Sequence, residues 1–176
     1  INIGSITQTA SGYNVWNTPT TADLTISGGA VNGGDYGVFI NNWDGYSSNA
    51  SATAVIVDGV TIDGATIAGI YAKDNPLEPD GDPVNITAQN NTISNTPIGV
   101  LVSGPQATAT LKGSTLTNAT TAFDTIDGTL LAYANNITGF TTGVNNTAGT
   151  VNAQHNWWGA IDPGAANVND TDAYDF

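Results

Sequence analysis

The chain has 176 residues, enough for one domain with a sizeable core, and sets two Lys or Arg against fifteen Asp or Glu, a formal net charge of -13. Lys73 and Lys112 stand alone as cations, which excludes a phosphate-neutralising nucleic-acid surface and attachment to an anionic membrane, and no apolar run approaches bilayer-spanning length. Cysteine is absent, which removes disulfides, thiolate metal sites and Cys nucleophiles, while 40% hydrophobic residues is too many for a disordered linker.

Helix formers are scarce, with one Glu, no Arg and no Met, whereas β-branched residues, Gly and Asn occur throughout; an all-β chain follows. In chain order, apolar markers fall at Ile6, Val31, Ile62, Ile93, Leu116, Ile137 and Trp158, at intervals of 25, 31, 31, 23, 21 and 21 residues. Two further columns keep the same register. Six to seven residues after each marker stands a small residue (Gly12, Gly37, Gly69, Gly99, Ala122, Gly143) followed by an apolar one (Tyr13, Val38, Ile70, Val100, Phe123, Val144). Five residues before the later markers stand Ile26, Val57, Ala88, Leu111, Ala132 and Ala153. Within a repeat the apolar residues alternate over short stretches broken at Gly or Asn, as in Val55-x-Val57, Val60-x-Ile62 and Ile70-x-Ala72. Period two means strand and the breaks mean turns. The expected fold is therefore a right-handed parallel β-helix of about seven coils with three short strands each. It occupies residues 1–159, and residues 160–176 form a C-terminal capping tail. Methionine is missing even at position 1, and no polar or helical cap precedes Ile6. The chain is expected to be a processed or excised piece of a larger protein.

Two residues before successive markers stand Asn91, Ser114, Asn135 and Asn156. Inward amides stacked at a turn satisfy the backbone of the next coil, so these residues read as a structural Asn ladder. At this point the register resembles the right-handed parallel β-helix repeats of pectin-lyase-like and cell-surface proteins, over nearly the whole chain. His155-Asn156-Trp157-Trp158-Gly159, followed by Asp162-Pro163-Gly164, resembles the Asn-Trp-Trp-Gly ending of large bacterial and archaeal surface or adhesin-like β-helix proteins. Physically that ending reads as a lid in which Trp158 takes the core position, and Trp157 offers an indole face to a sugar.

The resemblance to pectin-lyase-like enzymes implies catalytic groups that can be sought. Lyases of this architecture combine a base with Arg and calcium, the related hydrolases use grouped aspartates with Gly-His-Gly and Arg-x-Lys segments, and the esterases use paired Asp with Arg. None of these sets is present. His155 reads as a turn residue, and for a glycosidase pair the outward positions that align give Asp58 and Asp63 within one repeat, with Gln89 and Ser94 at the equivalent places in the next. No enzymatic activity is expected. The function expected is that of a structural or adhesive segment of a secreted or cell-surface protein, extracellular, monomeric or stacked end to end, whose partners are surface glycans or other surface proteins.

The alternative is a carbohydrate-binding or polysaccharide-degrading module. Its candidate ligand residues are an outward line of Asp58, Gln89, Lys112, Tyr133 and Gln154, four residues before each marker, together with Trp43 in the insertion from Asn41 to Ala54 and Trp157. No cofactor other than Ca²⁺ is expected. In the insertion from Lys73 to Pro83, Asp74, Glu78, Asp80 and Asp82 offer oxygen ligands dense enough for Ca²⁺, and the tail acids Asp162, Asp170, Asp172 and Asp175 repeat the ambiguity. An ice- or surface-binding row of Thr87 and Thr110 is interrupted by Ile56, Leu131 and Asn152. Asn-x-Ser/Thr sequons occur at Asn49, Asn85, Asn90, Asn118, Asn136, Asn145 and Asn169.

Overall fold

In the computed structural model, residues 5–8, 11–16, 24–41, 53–74 and 83–159 are described. They contain strands and turns only. In chain order the first strands are β1 (Ser5–Gln8), β2 (Ser11–Trp16), β3 (Leu24–Ser27), β4 (Ala30–Gly33), β5 (Tyr36–Asn41) and β6 (Thr53–Asp58). Next come β7 (Thr61–Asp63), β8 (Ala68–Lys73), β9 (Val84–Gln89), β10 (Thr92–Ser94) and β11 (Ile98–Ser103). The last are β12 (Ala107–Lys112), β13 (Thr115–Thr117), β14 (Thr121–Tyr133), β15 (Asn136–Thr138) and β16 (Thr142–Asn152).

The chain visits three ladders in turn, and every pairing among the described strands is parallel. The first ladder runs β3, β6, β9, β12 and the C-terminal part of β14. The second runs β1, β4, β7, β10, β13, β15. The third runs β2, β5, β8, β11 and the N-terminal part of β14. Parallel partners 21 to 32 residues apart, curling from one ladder to the next, are compatible with a β-helix.

The three sequence columns coincide with these ladders. Ile6, Val31, Ile62, Ile93, Leu116 and Ile137 are successive partners on the second ladder. Tyr13, Val38, Ile70, Val100, Phe123 and Val144 are partners on the third. On the first, the partners are Ile26, Val57, Ala88, Leu111 and Ala132. The described side chains of all three columns belong to one buried cluster. Trp158 is 5% exposed and meets Phe123 and Phe140 edge-on, with ring centroids 5.8 and 5.5 Å away, so the expected lid residue does fill the core.

The small-residue column has a steric cause. A Cβ placed on Gly99 would lie 2.6 Å from the Ala122 carbonyl oxygen and 2.6 Å from Leu116 Cδ1. At that corner the backbone of the next coil and the marker side chain leave no room. Insertions are tolerated at a different corner, the one between the third and first ladders, where β5 ends at Asn41 and β8 at Lys73. The register therefore survives the change of period.

One expectation needs correcting. Three short strands per repeat hold until β11, but β14 and β16 run 13 and 11 residues through that corner. A 21-residue repeat has no residues left for a loop, so the strand pairing continues around the corner. The pairing of β14 with β16 shifts between Thr125 and Thr129, where Asp127 has φ 99° and Gly128 φ 121°. Gly128 is required there, because a Cβ would lie 2.7 Å from the Gly104 carbonyl and 2.8 Å from that of Ala107. Two ladders thereby fuse into one ten-stranded sheet beside the six-stranded one.

The Asn ladder is present. Asn91 Oδ1 accepts the Val60 N–H at 2.8 Å while Asn91 Nδ2 donates to the Val57 carbonyl at 3.0 Å. Ser114 Oγ accepts the Asn91 N–H at 3.1 Å, Asn135 Oδ1 accepts the Ser114 N–H at 2.9 Å, and Asn156 Oδ1 accepts the Asn135 N–H at 3.0 Å. The residue just before each rung turns the chain in the left-handed region: Asn90, Gly113, Ala134 and His155 have φ of 55°, 57°, 56° and 57°. His155 is a turn residue, as expected.

Two substitutions at adjacent positions should act oppositely. Asn135→Ala removes the acceptor of the Ser114 N–H and a donor to the Leu111 carbonyl and should cost about 2–4 kcal/mol. Ala134→Gly relieves a positive φ and should add about 1 kcal/mol. Urea denaturation of both variants checks the pair.

Candidate functional site

The outward line of the first ladder is real, since the register pairs Asp58 with Gln89, Gln89 with Lys112, and Lys112 with Tyr133. At its C-terminal end a shallow groove of about 220 Å³ is lined by Leu131, Tyr133, Asn152, Gln154 and His155. Leu131 and Tyr133 are 37% and 42% exposed and make an apolar floor. Two amides and an imidazole edge it, with Asn152 Oδ1 already accepting the Gln154 N–H at 3.2 Å. An apolar floor with a few polar groups around it suits a small ligand having one apolar face.

The remaining candidate ligand residues do not gather there. Trp157 is 57% exposed but pairs with Asn136 on the second ladder, on the other side of the His155 corner. Asp58 accepts a bond from Asn90 Nδ2 at 2.9 Å, and Trp43 lies outside the described residues. Of the four candidate calcium ligands, Glu78, Asp80 and Asp82 also lie outside them. Asp74 is 4% exposed, and its Oδ2 accepts the Gln106 N–H at 3.0 Å. Among the described residues no group of three or more His, Cys, Asp or Glu is placed to hold a metal ion. The tail acids and residues 160–176 are likewise outside the described residues.

Asp58 and Asp63 stand on different ladders, on β6 and β7, with the Gly59 turn between them. Each is bonded to the next coil. Asp63 Oδ1 accepts from Ser94 Oγ at 2.7 Å and from Asn95 Nδ2 at 2.6 Å. Those two bonds, Ser94 first, hold its carboxyl below the usual aspartate range. Asp35 takes a bond from Thr66 Oγ1 at 2.9 Å and Asp124 one from Asn145 Nδ2 at 3.0 Å. Burial raises the Asp124 pKa against the opposing pull of that amide. In all, Asp35, Asp58, Asp63, Asp74 and Asp124 each accept a donor from 21 to 32 residues further on.

Two outer features escaped the sequence columns. Tyr36, Phe39 and Tyr71 pack on the outside of the third ladder with ring centroids 4.9 to 5.2 Å apart, and burial pushes the Tyr71 phenol up. Phe39 and Tyr71 are register partners one residue after the inward Val38 and Ile70, so shifting the third column by one position would have found them. On the second ladder, Thr61, Thr92 and Thr115 are successive partners, a longer threonine row than the one through Thr87 and Thr110. That shorter row is interrupted as expected, because Thr87 pairs with Ile56 and Thr110 with Leu131.

Compared with known proteins, the chain matches no family model, no curated protein and no solved structure.

The two shifted carboxylates predict opposite pH effects. Folding lowers the Asp63 pKa, so its contribution is complete above the ordinary value of 3.8 and is lost as pH falls through the lowered one. Asp63→Asn should lower Tm at pH 7 by roughly one to a few degrees, with the difference fading in acid. Folding raises the Asp124 pKa, so its favourable contribution exists below 3.8 and is lost as pH rises through the raised value. Asp124→Asn should raise Tm at pH 7 and have no effect in acid. Thermal melts of both variants across pH measure the signs.

Proposed function

We propose that the chain is a structural or adhesive segment of a larger secreted or cell-surface protein, built as a right-handed parallel β-helix of about seven coils of pectin-lyase-like type. The right hand rests on the strong preference of parallel strand connections for that sense. Glycans or other proteins of the cell surface are its partners, and it acts as a monomer or stacked end to end.

The observation that carries this proposal is the use made of the acids. Five carboxylates accept hydrogen bonds from the next coil, and the Asn ladder does the same on the inside. Among the described residues, the Asp58 and Asp63 carboxylates that would serve a hydrolase as acid and base are part of what joins one coil to another. The expected outcome is no depolymerisation of pectate, alginate or neutral glucans between about pH 4 and about pH 9. Turnover of any of these, lost in Asp58→Asn or Asp63→Asn, would overturn the proposal.

A second function, binding of carbohydrate without turnover, is favoured by one observation. Leu131, Tyr133 and Trp157 are three of the exposed large apolar side chains, and all three lie near the His155 corner. Exposed rings with amide neighbours suit the face of a sugar.

A further inference from the structure

The outward positions of the second ladder form one straight row. Register pairs Thr61 with Thr92, Thr92 with Thr115, and Thr115 with Asn136, and a bridge continues the row to Trp157. Between the outward residues Ile62, Ile93, Leu116 and Ile137 point inward and are at most 1% exposed, so the row rests on a packed core. Corners with positive φ bound these three-residue strands on both sides, as at Gly59 and Gly64 or Asn90 and Asn95. The row is therefore short across and long along the stack.

Its polar groups are available. No side-chain hydrogen bond engages Thr61, Thr92, Thr115, Asn136 or Trp157 among the described residues, in contrast to the parallel rank beside them, where Ser94 donates to Asp63. Thr61, Thr92 and Asn136 are exposed and Thr115 is half-buried. Trp157, at 57%, is the most exposed large apolar side chain among the described residues. The row itself carries no ionised group.

We propose that this row binds an extended, neutral, β-linked polysaccharide lying along the stack, with one sugar ring on the Trp157 indole and its neighbours hydrogen-bonded to Asn136, Thr115 and Thr92. This rests on the carbohydrate-binding function above and moves its site from the Tyr133 groove to the second ladder. Coils repeat every ~4.8 Å, close to the advance of one sugar in an extended β-linked chain, so each coil meets about one ring. β-Branched threonines hold few rotamers in a strand, which fixes the hydroxyls in advance of binding. Neutrality follows from charge: the net charge of -13 repels a polyuronate, and no cation in the row offsets it.

The test is affinity electrophoresis of the folded chain in native gels containing hydroxyethyl cellulose, barley β-glucan or polygalacturonate. The wild type should be retarded by a neutral polymer and not by polygalacturonate. Trp157→Ala should raise Kd by roughly tenfold, and Thr92→Val with Thr115→Val should weaken binding by a similar factor. Thr87→Val, on the first ladder, should bind as wild type. Circular dichroism and melting of each variant separate lost contacts from lost fold. Binding abolished by Tyr133→Ala but kept by Trp157→Ala would place the sugar in the groove, overturning this proposal while keeping carbohydrate binding. Retardation by polygalacturonate alone would overturn the neutral ligand. A wild type that no polymer retards would overturn both.

Discussion

Each coil depends on its neighbour to satisfy polar groups at the corners where the chain turns. A buried amide N–H or carbonyl without a partner costs about as much as the bond it lacks, and in a stack the partner has to come from the coil above or below. The inward side chains of Asn91, Ser114, Asn135 and Asn156 meet that need on the core side. Outside, Asp35, Asp58, Asp63 and Asp124 tie side chain to side chain between coils. Among the described residues, these four acids serve as hydrogen-bond acceptors for Asn, Ser and Thr.

That dependence constrains the rest of the molecule. Stacked coils bring backbone against backbone at the start of the third ladder, where the Cβ positions of Gly37, Gly69 and Gly99 would meet the carbonyl of the next coil. Corners also have to repeat, so Ala134 and His155 accept the positive φ that Gly113 adopts without strain. The largest variation in length falls at the corner that closes each coil, where the longest insertions lie between strands, and variation in residue type falls on the outward faces. Those faces are where binding is proposed, because substitutions there leave the stacking register intact.

Much of this was legible in the residues because burial selects by type. Ile62 and Ile93, or Val57 and Ala88, recur in step since each must fill the same slot in successive coils. The Asn ladder was legible for the same reason. Fusion of two strands in β14 was hidden because the residues around Asp127 and Gly128 look like a turn, and it is the lack of spare length in a 21-residue repeat that keeps the pairing going past them. The destination of the carboxylates was also hidden. Whether Asp63 faces solvent as one of a catalytic pair or bonds to Ser94 is decided by register across coils, and outward positions carry no burial signature. Tyr133 and Trp157 both read as sugar-facing rings in the sequence, yet the His155 corner places them on different faces, a separation that spacing alone does not reveal.

If neighbouring coils are interchangeable, a whole coil can be removed. Excising residues 129–149 joins Gly128 to Thr150, which pairs with Thr129 in the intact chain, so every retained strand meets an equivalent neighbour. The most direct measurement is circular dichroism and urea unfolding of that shortened chain. Retained β signal with one cooperative transition, at reduced stability, is the predicted result. A chain that loses its β signal, or unfolds without a cooperative transition, would contradict a single stacked core held coil to coil.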